Sequence, residues 1–226
     1  MNGPSRTSRP GSAEQAVTRN GQSPAATTVQ GRLVSLRPIS RDDYPQLFAW
    51  RLSFDTIHML NFRRRLSSYE EFVRELETML PNVILHVVET RSGGEPIGYA
   101  LAHSINPWDG WLAVGLYVEP NRRLTGHGAE AALLSIDFLF RIYPLRKIVT
   151  EVYDFAEPIQ RMLISMGFEE AGYLPDHFWW ADRWWGLRQM MLTRDTWAVS
   201  RARFSDIVAV TTEMTTRGAN GSGIVQ

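Results

Sequence analysis

The sequence contains no cysteine among its 226 residues. This absence excludes disulfide bonds, thiolate metal sites and cysteine nucleophiles, and it is typical of proteins from a reducing compartment. Charge of neither sign is in excess, because 24 basic residues balance 24 acidic ones. No global field therefore draws the chain onto nucleic acid or a membrane, and we predict neither as a specific partner.

Long apolar runs are missing as well. No stretch approaches the roughly 18 apolar residues that span a bilayer, and the first residues lack the hydrophobic segment of a signal peptide. With 44% hydrophobic residues, the chain can still bury one substantial core. We predict one folded domain, located in the cytoplasm.

The two ends of the chain differ in composition from its middle. Residues 1–30 are rich in Gly, Pro, Ser, Thr and Arg and have almost no large apolar side chains, so we predict a disordered N-terminal tail. Residues 204–226 end in TTRGANGSGIVQ and are predicted to form a second disordered tail. The folded domain accordingly spans residues 31–203.

The middle of the chain alternates between strand and helix patterns. Ser40 begins one predicted helix, and Ser68 and Glu71 have the spacing of a capping box at the start of the next. The predicted order is a strand GRLVSLRPI, these two helices, three antiparallel strands VILHVVET, PIGYALAHSI and GWLAVGLYV, a helix over about 128–142, a strand KIVTEV, a short helix over about 158–166, and two aromatic strands that meet at ADR.

The stretch VEPNRRLTGHGAEAALL contains the strongest chemical signal. Gly126 and Gly128 let backbone amides approach a ligand, and the helix that follows has unpaired N–H groups and a positive dipole end at its start. Arg122 and Arg123 add positive charge nearby. This combination favours a phosphate or diphosphate ligand, while the same residues also fit an ordinary surface turn.

Two nucleotide-binding motifs share this chemistry. Gly126, Gly128 and Ala131 satisfy the dinucleotide pattern G-x-G-x-x-A, and Glu151 follows roughly twenty residues later. That pattern needs its first glycine almost directly after a strand and parallel strands joined by helices, whereas seven residues follow Val118 before Gly126 and hairpins precede it. An NAD-dependent enzyme is therefore a lesser alternative, and the Gly-Lys-Ser/Thr of a nucleotide P-loop is absent.

The same stretch resembles the acyl-CoA-binding motif of the GNAT superfamily of N-acetyltransferases. In that motif a strand ends in Val-x-Pro, and Arg or Gln-x-x-Gly-x-Gly or Ala then begins a helix; five residues fall on it: Val118, Pro120, Arg123, Gly126 and Gly128. Leu124 stands where many relatives have another glycine. A second landmark, a strand and a short helix before Gly-Phe, is matched by IVTEVYDFAEPIQRMLISMGFEEAGYL. The resemblance covers the chain from Gly31 to about Trp197.

The resemblance implies an α/β (α+β) fold, with a twisted, mostly antiparallel sheet flanked by helices. Its fourth strand (residues 111–118) and fifth strand (residues 147–152) are parallel and splay apart. The pantetheine arm of acetyl-CoA, the implied co-substrate, enters this opening, and no metal is implied. The implied binding residues pair with the arm or hold the diphosphate: Tyr117, Val118, Arg123, Leu124, Thr125, Gly126, His127, Gly128 and Ala129. His127 is expected to contribute its backbone rather than its ring.

The implied reaction is direct attack of a primary amine on the thioester. An aliphatic ammonium with a pKa of about 10.4 must first lose a proton, so a base or a water chain is needed. Glu151 is the first candidate base, because several relatives that resemble ribosomal-protein N-acetyltransferases carry a glutamate in the fifth strand. Glu119 is the second candidate, and His177 on the acceptor side is the third. The other histidines lack metal-ligand spacing: His58, His86, His103 and His127.

Two positions depart from the family pattern. Counted back from Gly167, many relatives have Asn at the position of Ala156 and Tyr at that of Leu163, where the tyrosine is proposed to protonate the departing CoA thiolate. A thiolate with a pKa of about 8.5 can leave without a proton donor, and Tyr153 or Tyr173 is an alternative donor. The departures also keep open a non-catalytic CoA-binding or interaction module.

The acceptor is predicted only as a class of amine. The hairpin HFWWADRWWGLRQMML resembles that of enzymes that acetylate ribosomal-protein N-termini and also that of small-molecule acetyltransferases. Because side chains alternate along a strand, we expect one tryptophan of each neighbouring pair to pack on the core and the other to face outward, as an acceptor wall or a dimer contact. Acetyl-CoA and a primary amine, in a small molecule or at a protein N-terminus, are the predicted substrates of a monomer or homodimer.

Overall fold

A computed structural model describes residues 28–53 and 66–208 of the chain. Within these ranges the strands form one sheet in the order β1-β2-β3-β4-β5-β6-β8-β7. Neighbouring strands are antiparallel except for β5 and β6, which run parallel. The strands are β1 (Val29–Gln30), β2 (Val34–Pro38), β3 (Ile84–Thr90), β4 (Pro96–Asn106), β5 (Trp111–Val118), β6 (Lys147–Tyr153), β7 (Glu169–Trp180) and β8 (Arg183–Thr193).

The α-helices in the described ranges begin at residues that the sequence marks as caps or breaks. They are α1 (Tyr44–Leu52), α2 (Tyr69–Met79), α3 (His127–Ile142), α4 (Glu157–Met166), α5 (Arg194–Ser200) and α6 (Ser205–Val208). At the start of α2, the Ser68 hydroxyl accepts from the Glu71 N–H, and the Glu71 carboxylate accepts from the Ser68 N–H. None of the helices described is long and apolar enough to cross a membrane.

The predicted fold class is confirmed, since a mostly antiparallel sheet with one parallel pair is flanked by helices. The predicted fourth and fifth strands are β5 and β6, because β1 adds a strand before the first predicted one. β1 forms because Val29 buries its side chain beside β2, and α6 continues the chain beyond residue 203. Ordered structure thus reaches slightly past both predicted boundaries. Residues 1–27 and 209–226 of the predicted tails lie outside the described residues.

The sheet has a different pair of helices on each face. On the first face, Trp50 of α1 and Phe72 of α2 pack in one cluster with Tyr117 of β5. On the second face, residues of α3 and α4 pack in another cluster with Leu112 and Ile148 of the central strands. Because side chains alternate along strands and paired residues point the same way, the odd-numbered residues of β4 from position 99 to 103, and of β5, β6 and β8, lie on the first face.

A buried carboxylate fastens the start of α3 to the sheet. Glu130 is 3% exposed, and it accepts hydrogen bonds from the backbone N–H groups of Leu33 at 2.6 Å and Val34 at 3.1 Å. The chain passes so close that a Cβ at Gly31 would lie 2.2 Å from Oε1 of Glu130. Since the carboxylate is the acceptor for N–H groups at the start of β2, the position of α3 depends on it.

We therefore expect Glu130→Ala to lower the free energy of unfolding by about 2–3 kcal/mol, because it leaves buried N–H groups without an acceptor. Glu130→Gln keeps one acceptor oxygen and should cost about 1 kcal/mol. Urea unfolding followed by circular dichroism measures both values. Glu157→Ala, at an exposed ion pair with Arg161, is the matched control and should change stability by less than about 1 kcal/mol. Equal losses for Glu130→Ala and Glu157→Ala would contradict the anchoring role.

Candidate active site

β5 and β6 pair over a short distance and then diverge. Their parallel ladder ends at the pair Ala113 and Val149. Directly beyond it, the Thr150 hydroxyl donates a hydrogen bond of 2.9 Å to the carbonyl of Val114. The rest of β5 and the rest of β6 border an opening in the sheet, which we call the gap, as predicted for the fourth and fifth strands.

The edge of β5 presents unpaired peptide groups to the gap. Val114 directs its carbonyl toward β6, whereas the N–H of Glu119 bonds to Ile97 on the β4 side. Because peptide groups alternate in direction along a strand, Leu116 and Val118 direct theirs into the gap. The Val118 carbonyl accepts a hydrogen bond of 3.3 Å from Nε of Arg123. An extended ligand in the gap can hydrogen-bond to this edge as a strand would.

Tyr117 was predicted to bind the ligand, but its side chain is buried between aromatic rings. Tyr117 is 4% exposed, and its ring lies 5.3 Å from that of Trp50 and 5.6 Å from that of Tyr99. It is paired with Tyr99 of β4, so its peptide groups point away from the gap. Leu116, which the sequence motif did not single out, offers the peptide groups that the prediction assigned to Tyr117.

The start of α3 offers a row of unpaired backbone N–H groups. Within the described residues, no acceptor is hydrogen-bonded to the backbone N–H groups of residues 124–129, and no side chain caps the helix at Gly126. The ring of His127 is engaged locally, with Nδ1 2.7 Å from the Thr125 hydroxyl, which donates to the Arg122 carbonyl. Unpaired N–H groups at and just before the positive end of a helix are groups that can bind a phosphate or diphosphate.

The backbone conformation of Leu124 is one that glycine adopts easily, and many proteins with the similar motif have glycine at this position. Its φ of 59° is in the left-handed region, which L side chains adopt at a cost of about 1 kcal/mol. Gly126 also has a positive φ, 90°, and begins α3. The turn therefore requires left-handed backbone at two positions, and Leu124 satisfies the first with its side chain 90% exposed.

The two arginines before the turn, Arg122 and Arg123, differ in whether they form an ion pair within the protein. Arg122 forms an ion pair of 2.8 Å with Glu95 in the turn before β4. Arg123 donates through Nε to the Val118 carbonyl, and its terminal nitrogens have no partner among the described residues. Arg123 is thus the cation that is available to an anion at the start of α3.

Glu119 lies at the end of β5 on the first face. Its Oε1 accepts a hydrogen bond of 2.7 Å from the indole of Trp50, and Nε2 of Gln46 lies 3.5 Å away. No described cation forms an ion pair with it. This predicted candidate base is therefore held in place beside the mouth of the gap, and its indole partner was not recognisable from the motif.

Glu151 lies on the first face of β6, next to Thr150 at the start of the gap. It is exposed, and its nearest polar partner is Nε2 of Gln189 at 3.5 Å. The space above Gly115 of β5 is open, since a Cβ there would meet no atom within 4 Å. A groove on the first face therefore has Ala113 and Gly115 as its floor and Glu151 along one wall.

The remaining predicted candidates lie on β6 and on the edge strand β7. His177 is exposed on the edge strand β7, and β8 lies between β7 and β6. Tyr173, also on β7, donates its hydroxyl to Asp154 at 2.8 Å, which raises the pKa of this phenol. Tyr153 packs its ring 4.2 Å from that of Phe178. His177 and Tyr173 are thus separated from the gap by β8 and β6, whereas Tyr153 lies on β6 itself.

The two departures from the family pattern lie within packed regions. Leu163 is 6% exposed in the cluster of the second face, and Ala156 packs against that cluster. Neither residue offers a proton donor. Within the described residues no group of three or more His, Asp or Glu side chains is arranged to hold a metal ion, and His58 lies outside them.

Neighbouring tryptophans of the β7–β8 hairpin point to opposite faces of the sheet, as the alternation of side chains along a strand predicts. Trp179 and Trp184 are 43% and 54% exposed and lie 5.3 Å apart. Trp185, on the other face, is half-buried, with its ring 5.3 Å from Phe155 and the Arg183 guanidinium 3.6 Å above it. The expected core pair is thus only partly buried.

Comparison with known proteins agrees with this geometry. The profile of the family described as "Acetyltransferase (GNAT) domain" matches residues 33–169. No curated protein sequence shows significant similarity to the chain.

Several solved structures share the fold. A spermidine N-acetyltransferase from Vibrio cholerae in complex with CoA and spermine is 17% identical, with a TM-score of 0.66, over 74% of this chain and 98% of that one. An acetyltransferase (GNAT family) from Bacillus anthracis is 14% identical, with a TM-score of 0.62, over 74% and 99%. A GCN5-related N-acetyltransferase from Brucella melitensis is 19% identical, with a TM-score of 0.64, over 82% and 88%.

The glycines of β4 and β5 test the geometry of the gap. A Cβ at Gly98 would lie 2.0 Å from the carbonyl oxygen of Tyr117, so Gly98→Ala should lower the free energy of unfolding by about 2–3 kcal/mol. Gly115→Ala is the matched control, because the space above it is open, and it should change stability by less than about 1 kcal/mol. Urea unfolding compares the two, and a larger loss for Gly115→Ala would refute the open groove.

Proposed function

The chain belongs to the GNAT acetyltransferase family and is an acyl-CoA-dependent N-acyltransferase, and on that premise we propose that it moves an acetyl group from acetyl-CoA to a primary amine by direct attack. The observation that carries the proposal is the row of unpaired N–H groups at residues 124–129 beside the gap between β5 and β6. A non-catalytic CoA-binding module is the second candidate, favoured by Ala156 and Leu163.

The donor fits the groups that border the gap. Backbone N–H groups at the start of α3, together with Arg123, suit the diphosphate of CoA, because both the helix end and the guanidinium favour negative charge. The peptide groups of Leu116 and Val118 suit the amides of the pantetheine arm. When bound, acetyl-CoA supplies an activated acyl group in the form of a thioester.

Glu151 is the proposed base for the acceptor. An aliphatic amine with a pKa of about 10.4 arrives as an ammonium ion. The carboxylates of Glu151 and Glu119, neither of which has an ion-pair partner among the described residues, attract this cation. Glu119 lies beside the loop that precedes α3, whereas Glu151 lies at the other end of the gap, next to Thr150. A ligand that is anchored at the loop and extended along β5 brings its reacting end toward Glu151. Glu119 then contributes attraction and orientation.

The departing thiolate needs no committed proton donor. Leu163 replaces the tyrosine of many relatives, and its surroundings are apolar. A thiolate with a pKa of about 8.5 is a stable enough leaving group at neutral pH to depart as the anion. The proposed reaction therefore depends on proton removal from the amine more than on proton delivery to sulfur.

The acceptor is a primary amine, offered by a small molecule or by a protein N-terminus. The first face gives access to the gap, because the space above Gly115 on that face is open. The similarity in fold to a spermidine N-acetyltransferase supports a small amine, whereas the hairpin pattern resembles enzymes of both acceptor types. Both acceptor types belong in the test.

The purified protein should release CoA from acetyl-CoA when supplied with an acceptor from a panel of primary amines and short peptides. Glu151→Gln should lower turnover by on the order of a hundredfold, since general-base catalysis contributes at least that much, and it should leave CoA affinity unchanged. Glu169→Gln, an exposed carboxylate on the edge strand, is the control and should retain activity. CoA binding without transfer to any acceptor would support the binding module, and absence of CoA binding would end the proposal.

The two arginines give a separate test of the donor site. Arg123→Ala should weaken CoA binding about tenfold, because it removes a charge that is free to contact phosphate. Arg122→Ala should have a much smaller effect, since Arg122 is paired with Glu95. Isothermal titration at low and moderate salt measures both, and equal losses would contradict the assignment.

A further inference from the structure

The groove on the first face has a second wall that the motifs do not mention. His103 of β4 is paired with Ala113 of β5, so its side chain lies on the same face as Glu151. Ala113 and Gly115 between the two walls carry almost no side chain, and the space above Gly115 is open. An imidazole and a carboxylate therefore border the same groove at the start of the gap.

A β-bulge sets the position of His103. Between the pairs His103–Ala113 and Asn106–Trp111, β4 has two residues where β5 has one. Ser104 in this bulge has a φ of 49°, an uncommon conformation for a residue other than glycine, and such strain concentrates at functional sites.

A residue of the bulge also contacts the imidazole ring of His103. The Ser104 hydroxyl lies 3.0 Å from Nδ1 of His103. The other ring nitrogen, Nε2, has no partner among the described residues.

The charge state of His103 suits a proton acceptor. Burial lowers the pKa of the imidazole, while the negative charge of Glu151 opposes this change. Burial thus favours the neutral form of the imidazole, and Glu151 lies close enough for its charge to act on the ring.

The reaction removes two protons from the amine nitrogen. An ammonium nitrogen carries three hydrogens, and the product amide of a primary amine carries one. As the nitrogen–carbon bond forms and the carbon–sulfur bond breaks, the thiolate leaves with the bonding electron pair, and two protons leave the nitrogen. With no proton donor at Leu163, neither proton has an assigned path to the sulfur. One base accounts for only half of this proton transfer.

We propose that His103 is a second proton acceptor of the acceptor groove, facing Glu151 across Ala113 and Gly115, so that each takes one of the two protons that leave the amine nitrogen. This inference rests on the proposed acetyl transfer.

Among the described residues, Glu151 is the main electrostatic partner of His103. Residues 80–85, in the turn and strand next to this part of β4, have no titratable side chain. On β5, Trp111, Ala113 and Gly115 are not titratable, and on β8 the residues of this face include Gln189 and Met191. Lys147 of β6 lies on the same face, four residues before Glu151.

The test uses the full-length enzyme, an acceptor found in the amine panel, and the pH dependence of kcat/KM. His103→Gln keeps a polar side chain of similar size but cannot titrate. We expect kcat to fall about tenfold or more, the KM for acetyl-CoA to stay the same, and one ionisation to disappear from the acid side of the profile. In the wild type, activity falls as pH drops through the His103 pKa, because the protonated ring cannot accept a proton.

His86→Gln is the matched control. Burial also lowers the pKa of His86, but its ring lies 5.1 Å from Phe138 of α3 on the second face. Its substitution should leave the pH profile unchanged. Added imidazole should restore part of the activity of His103→Ala, which a merely structural role would not allow.

A titration of the histidine rings by NMR tests the pairing without relying on activity. The pKa of His103 should fall in Glu151→Gln, because the charge that stabilises the imidazolium is gone. An unchanged His103 pKa in that variant, or a wild-type pH profile in His103→Gln, would overturn the inference. If one of these two outcomes is found while the wild type still transfers acetyl groups, the proposed function is supported and the role of His103 is rejected.

Discussion

The divergence of β5 from β6 is the constraint on which the rest of the site depends. Parallel strands normally continue their ladder, because each unpaired peptide group that is buried costs free energy. Here the ladder ends at Ala113 and Val149, and the Thr150 hydroxyl satisfies the next carbonyl, that of Val114. The peptide groups beyond that bond remain available, and they give a ligand the hydrogen bonds that a neighbouring strand would otherwise take.

The opening is suited to a ligand because α3 is held in place at its end. Glu130 fastens the first turns of α3 to β2. Further along the same helix, the fully buried Asp137 pairs with Arg201, and this pairing raises the pKa of the guanidinium. Buried charges of this kind are costly to separate, so they fix the helix in one position. Its N–H groups therefore point toward the mouth of the gap before any ligand arrives.

Local patterns in the sequence predicted most of the fold, because caps, alternation and turn residues act over a few neighbours. The capping box of Ser68 and Glu71 and the three-strand meander followed directly from such patterns. The site was predictable only where a motif spans it, as around Gly126. Whether Leu116 or Tyr117 directs its peptide groups into the gap depends on how β5 pairs with β4, and the position of His103 depends on a bulge. Neither the strand pairing nor the strained backbone of Ser104 can be predicted from the spacing of residues in the sequence.

Charge is distributed unequally between the two sides of the gap, and this difference assigns the two substrates to different sides. Unpaired N–H groups and Arg123 gather where α3 begins, which suits an anionic donor. On the first face, the half-buried Glu119 and the exposed Glu151 have no cationic partner among the described residues. Carboxylates left without cations attract an ammonium ion and favour the protonated amine, so they also make its deprotonation harder. A neutral imidazole on the opposite wall lowers that barrier without adding positive charge to the groove before the acceptor binds.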